Sequence, residues 1–95
     1  MPAYVIAEIE TTDPAKMEEY RKRSPAAVAA YQGKFIARGG TIVPLEGGWN
    51  PARLVIAEFP SLDHAKRWYA SPEYAHAKNA RIGAGTFRMI AVDGV

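Results

Sequence analysis

Apolar positions alternate along three short stretches and fall at helical spacing between them. In Tyr4–Ile9, Val5, Ala7 and Ile9 take one side and Tyr4, Ile6 and Glu8 the other. In Arg53–Phe59, Val55, Ala57 and Phe59 oppose Leu54, Ile56 and Glu58. In Thr86–Val92, Phe87, Met89 and Ala91 oppose Arg88, Ile90 and Val92. Each stretch reads as a strand. After the first, Thr11-Thr12-Asp13-Pro14 supplies a capping side chain followed by proline at a first helical position. Met17 and Tyr20, then Val28, Tyr31 and Phe35, carry the apolar stripe of a helix that stops at Gly39-Gly40, with a break at Ser24-Pro25. Thr41–Leu45 is predicted as a short second strand, confined to an edge or a bulge by Pro44. Ser61 and Asp63 are alternative caps for a helix bearing Leu62, Ala65, Trp68 and Tyr69, which Ser71-Pro72 interrupts before Gly83.

A repeat organises these elements. Val5-Ile6-Ala7-Glu8 recurs as Val55-Ile56-Ala57-Glu58, and Asp13-x-Ala15-Lys16 as Asp63-x-Ala65-Lys66. At that constant offset the two segments agree at seven of sixteen positions (5–20 against 55–70), where chance gives roughly one or two. The order β-α-β-β-α-β is the split βαβ, ferredoxin-like unit, an α+β fold with a four-stranded antiparallel sheet. Right-handed crossovers put the first and third strands in the middle of that sheet, and the repeat suggests that they run parallel. Both strand faces carry apolar residues, and two helices cover only one. A second copy of the chain is expected on the other, giving a homodimer with two sheets face to face, a dimeric α/β barrel.

Size and composition narrow the function classes. Ninety-five residues make one domain, residues 1–95, small enough to gain from a partner's core. With 48% hydrophobic and 23% charged residues, the chain is an ordinary globular protein rather than a disordered one. It has no cysteine, which rules out disulfides, thiolate catalysis and zinc–sulfur sites. No apolar run is long enough to span a bilayer, and no basic leader opens the chain, so the cytoplasm is the expected compartment. A formal charge of +2 is too small to argue for nucleic acid, and the central strands lack the aromatic and basic pattern of RNA-binding modules.

The residues also resemble a known family. Glu58-Phe59-Pro60-Ser61, Ala65, Trp68-Tyr69-Ala70-Ser71-Pro72-Glu73-Tyr74, Arg81 and Val92-Asp93-Gly94, with Asp13, Tyr20 and Gly39-Gly40, look like domain-of-unknown-function family 1330. The similarity covers nearly the whole chain and departs at Ser24-Pro25 and Gln32-Gly33. It implies membership of the dimeric α/β-barrel superfamily, which supports the fold and the dimer. Relatives there include cofactor-free monooxygenases, small-ring isomerases, dehalogenating enzymes and haem-binding proteins, and a chemistry taken from one of them would be analogy.

Candidate chemistry is sparse. Glu8 and Glu58 occupy equivalent repeat positions; side by side they would share a proton, and otherwise each pairs with an arginine, Arg53 and Arg88 being at hand. His64 and His76 are the only imidazoles; twelve residues apart, they lack the spacing of a helical metal pair, so neither metal nor cofactor is expected. Tyr31, Trp68 and Tyr74 are amphipathic aromatics that would line a cleft between helices and sheet. Arg81, closing the second helix, would meet an acidic ligand there or cap the helix. With His64 these make a candidate ligand site of Tyr31, His64, Trp68, Tyr74 and Arg81, and Trp49 is a candidate interface anchor. Two functions compete: a cofactor-free enzyme acting on a small organic molecule, and a non-catalytic small-ligand-binding or stress-related interaction module. An enzyme needs a group titrating near neutrality beside the ligand; a binding module needs only apolar walls and fixed polar contacts.

Overall fold

A computed structural model describes the whole chain, Met1–Val95. The elements are β1 (Ala3–Thr11), α1 (Pro14–Ala30), β2 (Lys34–Arg38), β3 (Arg53–Phe59), α2 (Leu62–Tyr69), α3 (Pro72–Ala80) and β4 (Gly85–Asp93). The strands form one sheet in the order β2-β3-β1-β4, every pair antiparallel. This is the ferredoxin-like fold with β1 and β3 central, as the repeat predicts. All three helices lie on one face. There Val5, Ala7, Ile9, Ala57 and Phe59 meet Met17, Val28, Ala65, Trp68 and Tyr74 in one core.

The central pair is antiparallel, not parallel, and the repeat explains why. Ile6 stands opposite Ile56, with Val5 opposite Ala57 and Ala7 opposite Val55. A two-fold between Ile6 and Ile56 therefore exchanges the two copies, which requires opposed directions. It also sends the repeat carboxylates to opposite ends. Glu8 faces Leu54 while Glu58 faces Tyr4, so they stand four residues apart along the strands, about 13 Å at 3.3 Å per residue. They share no proton. Glu8 pairs with Arg88 (3.2 Å) and accepts a bond from Trp49 Nε1 (3.1 Å); Glu58 pairs with Lys34 (3.3 Å). Of the two arginines at hand, Arg88 pairs with Glu8, while Arg53 is a partner of neither carboxylate and Glu58 takes a lysine instead.

The second strand is Lys34–Arg38 rather than Thr41–Leu45, because α1 ends earlier than its apolar spacing suggests. Tyr31 caps it, and Gln32 adopts the left-handed conformation (φ 64°). Gly33 N donates to Val28 O (2.9 Å) and Gln32 N to Ala29 O (3.0 Å), the paired bonds of a Schellman motif. Gly33 packs so closely on Phe59 that a Cβ would come within 2.6 Å of the ring. Phe35 thus belongs to β2, opposite Ala57, and residues 41–45 are irregular.

The two Ser-Pro pairs behave differently. Ser71 is extended, accepts from Tyr74 N (3.0 Å) and donates to Trp68 O (2.6 Å), separating α2 from α3. At Ser24-Pro25, α1 runs through unbroken. Pro25 has no N–H to give the Arg21 carbonyl one turn back. That carbonyl instead accepts from Arg38 Nη2 (3.0 Å), so the proline ties β2 to the middle of α1.

The seam between β1 and β4 yields a sharp stability test. Gly85 faces Thr11, and Thr12 N and Asp13 N both donate to Ala84 O (2.8 and 2.9 Å). A Cβ on Gly85 would fall on the Glu10 carbonyl. Gly85→Ala is expected to cost about 2–4 kcal/mol because backbone must move. Gly40→Ala, with nothing near its Cβ, should change stability by less than about 1 kcal/mol. Urea denaturation of both variants checks the contrast.

Candidate functional site

Between α1 and the sheet lies a small cavity of about 30 Å³, room for one or two water-sized groups. It crosses the sheet from Arg38 on β2, past Val55 and Ala57 on β3 and Val5 on β1, to Met89 on β4. Val28, Tyr20 and Trp68 close it from the helix side. At Val5, Trp68 and Met89 it shares walls with an apolar groove of about 300 Å³ beside α2, into which Lys66 and Tyr69 also face. Groove and cavity together have the size of a small-molecule site, separated by the indole and an adaptable thioether.

Residues of the cavity lining carry the chain's two buried side-chain nitrogens without a hydrogen-bond partner, Arg21 Nε and Trp68 Nε1. Both are donors only. An unsatisfied buried donor costs about 1–3 kcal/mol. Two on residues of one lining mark a place suited to an acceptor.

Arg21, Arg38 and Arg53 line the same cavity, and no carboxylate does. The fold sets each of them. Arg38 is held by the Arg21 carbonyl and lies over the Phe35 ring, 4.5 Å from its centroid. Arg53 occupies space left by Gly39, where a Cβ would strike its guanidinium. Burial first, then the charges of Arg21 and Arg38, hold the Arg53 guanidinium below its ordinary pKa.

Beside the cavity a polar chain runs through the helix layer. Arg81 Nη1 donates to Tyr74 Oη (3.1 Å), and Tyr74 Oη stands 2.7 Å from Tyr20 Oη. Tyr74 Oη thus accepts from Arg81 and shares a hydrogen bond with Tyr20. Burial, then Tyr20, raise the Tyr74 phenol far above its ordinary pKa, against the opposing pull of Arg81. Arg81 also lies 4.0 Å over Phe87.

The five candidates from the sequence are thus distributed. Trp68 lines the cavity. Tyr74 is fully buried behind it, its ring 4.2 Å from the indole, and carries Arg81. Tyr31 sits at the end of α1, its hydroxyl 3.4 Å from Glu73. His64 shares a 2.6 Å bond with Ser61, the residue that caps α2. No three His, Asp or Glu side chains come together as metal ligands would, and no helix is long and apolar enough to cross a membrane. Sequence reasoning missed Arg21 and Arg38, and took Arg53 as a partner for a glutamate. The available signal was Pro25, which leaves the Arg21 carbonyl without its helical donor and open to an outside one.

No curated protein sequence matches the chain. Among solved structures it is similar to a protein of unknown function from Rhodopseudomonas palustris, at 19% identity and TM-score 0.73, over 99% of this chain and 82% of that one. A dimeric ferredoxin-like protein of unknown function from Jannaschia sp. CCS1 is also similar, at 9% identity and TM-score 0.73, over 99% and 100% of the two chains. SnoaB from Streptomyces nogalater, a cofactor-independent oxygenase, is similar at 18% identity and TM-score 0.69, over 99% and 93%. At such identities the likeness shows the fold alone. The family model described as Domain of unknown function (DUF1330) matches residues 2–95, and the chain belongs to that family.

Proposed function

We propose that the chain is the protomer of a cytoplasmic homodimer that holds a small organic molecule between its helix layer and its sheet. The observation that carries the ligand reading is the pair of unpartnered buried donors, Arg21 Nε and Trp68 Nε1, on residues that line one largely apolar cavity. Apolar lining with a few fixed polar groups is the make-up of a ligand site. The dimer rests on the other sheet face. Ile90 and Val92 are 63% and 45% exposed there, and Ile6 and Ile56 stand beside them. The molecule's thin dimension, 16 Å between Cα extremes, fits one helix layer on one sheet. The dimeric ferredoxin-like neighbour from Jannaschia sp. CCS1 is consistent with that assembly.

A second reading is a cofactor-free enzyme, in keeping with the description of the SnoaB neighbour as a cofactor-independent oxygenase. Tyr20 favours it, as a phenol on the cavity wall wired through Tyr74 to Arg81. Binding is the better supported of the two. The phenol whose pKa departs from its ordinary value, Tyr74, is driven away from neutrality and kept protonated.

Trp68 provides the test. A bound acceptor should move the indole N–H resonance in a ¹H–¹⁵N spectrum, whereas Trp49, 60% exposed, should not respond. A panel of small amides, ketones and carboxylates that leaves the Trp68 signal in place throughout would sink the cavity reading.

A further inference from the structure

We propose that Arg21, Arg38 and Arg53 form the anion-binding end of this cavity and that the molecule it holds is a small organic carboxylate. The inference rests on the cavity reading above and names the class of ligand. Three elements distant in sequence bring three guanidinium groups to one lining that contains no acidic residue. Elsewhere Arg88 pairs with Glu8 (3.2 Å), Arg67 with Asp63 (2.8 Å) and Arg23 with Glu19 (3.7 Å), while Arg81 donates to Tyr74 Oη. Arg38 and Arg53 have no carboxylate partner, and Arg21 has only the exposed Glu18 at 3.6 Å.

Convergent like charges repel, and the depressed pKa of Arg53 is one consequence. The fold nevertheless anchors two of them. Pro25 frees the carbonyl that anchors Arg38, and Gly39 clears the space for Arg53. Rigid placement of unneutralised donors lowers the ordering cost of binding an anion.

The lining selects among anions. A guanidinium matches a planar carboxylate through two parallel N–H···O bonds. The cavity itself admits only a headgroup, and it shares Val5, Trp68 and Met89 with the apolar groove, so a carboxylate held among the arginines extends its hydrocarbon tail toward that groove, whereas a phosphate has no tail to fill it.

The experiment titrates the full chain with butyrate, its neutral isostere butyramide, and inorganic phosphate, following the Trp68 indole and Arg21 Nε–H resonances. Butyrate should bind at least tenfold more tightly than butyramide, and more tightly than phosphate. Arg53→Met keeps the side-chain length and relieves repulsion, so it should melt no lower than the parent while weakening butyrate at least tenfold. Arg53→Lys should recover part of that loss. Equal binding of butyrate and butyramide would overturn the arginine assignment and leave the cavity reading intact. Preference for phosphate would likewise overturn it, as an inorganic-anion site. Absence of any response from Trp68 to acid or amide would overturn both readings, and unchanged butyrate affinity in Arg53→Met would remove Arg53 from the site.

Discussion

Tyr74→Ala is expected to remove about 3–5 kcal/mol of stability, the usual range for emptying a buried aromatic site. That is a large part of the roughly 5–14 kcal/mol a domain of this size possesses. Tyr74 is fully buried and its ring packs against Tyr20, Trp68 and Tyr69, with centroids 6.3, 4.2 and 5.7 Å away. Tyr74→Phe keeps the ring and removes the hydroxyl, leaving Arg81 and Tyr20 to find other partners, at about 1–3 kcal/mol. The two variants also differ from wild type in alkali. The folded-state pKa lies above the ordinary value of 10.0, so the folded protein keeps the proton that the unfolded chain releases. Stability contributed this way is complete below pH 10 and declines as pH rises above it. Wild type should therefore lose stability steeply above pH 10, and Tyr74→Phe should lose less over the same interval. Urea midpoints between pH 8 and 11 measure both effects. Parallel pH profiles for the two proteins would show that Tyr74 is not the group responsible.

The fold was legible because its strongest signals are local. Asp13 before Pro14, Ser71 before Pro72 and the alternation in β1, β3 and β4 all act within one element, and the structure places each where its chemistry directs. The repeat carried the topology, placing β1 and β3 together. What it could not supply alone was direction, since a repeat is compatible with translation or rotation until pairing is known. The helix stop misled for another reason. Gly39-Gly40 resembles a terminator, but the chain leaves α1 at Gln32, a residue with a Cβ in the left-handed region, because Gly33 must pass close to Phe59. That contact is tertiary.

The site was less legible, and the misplaced second strand is part of the cause. With residues up to 38 read as helix, Arg38 belongs to a helix end and has no reason to approach Arg21. In the structure it lies on β2 and answers the carbonyl left open by Pro25. Positions 21, 38 and 53 show no motif spacing, and only the folded arrangement brings them to one cavity. The aromatics were recognisable by type, but type does not separate Trp68, which lines the cavity, from Tyr74, which supports it from behind.

Replacing Ile90 with aspartate is expected to dissociate the proposed dimer. Ile90 stands opposite Ile6, which stands opposite Ile56, so three isoleucines form one row across β4, β1 and β3. All three lie on the face away from the helices. The row is bracketed by the Glu8–Arg88 pair toward one end and Lys34–Glu58 toward the other, an apolar centre with a charged rim. Trp49 leans onto this face through its bond to Glu8. In a two-fold assembly each substitution enters the interface twice, and each buried carboxylate would lack a partner. A loss of at least about 3 kcal/mol follows, more than a hundredfold in dissociation constant at 1.4 kcal/mol per tenfold. Light scattering at micromolar concentration should give twice the 10.4 kDa chain mass for wild type and a mass near one chain for Ile90→Asp. Ile82→Asp is the control, since Ile82 is equally exposed (70%) but lies in the turn after α3, and it should remain dimeric. A wild-type mass of one chain, or an Ile90→Asp protein that stays at two, would place the interface elsewhere or nowhere.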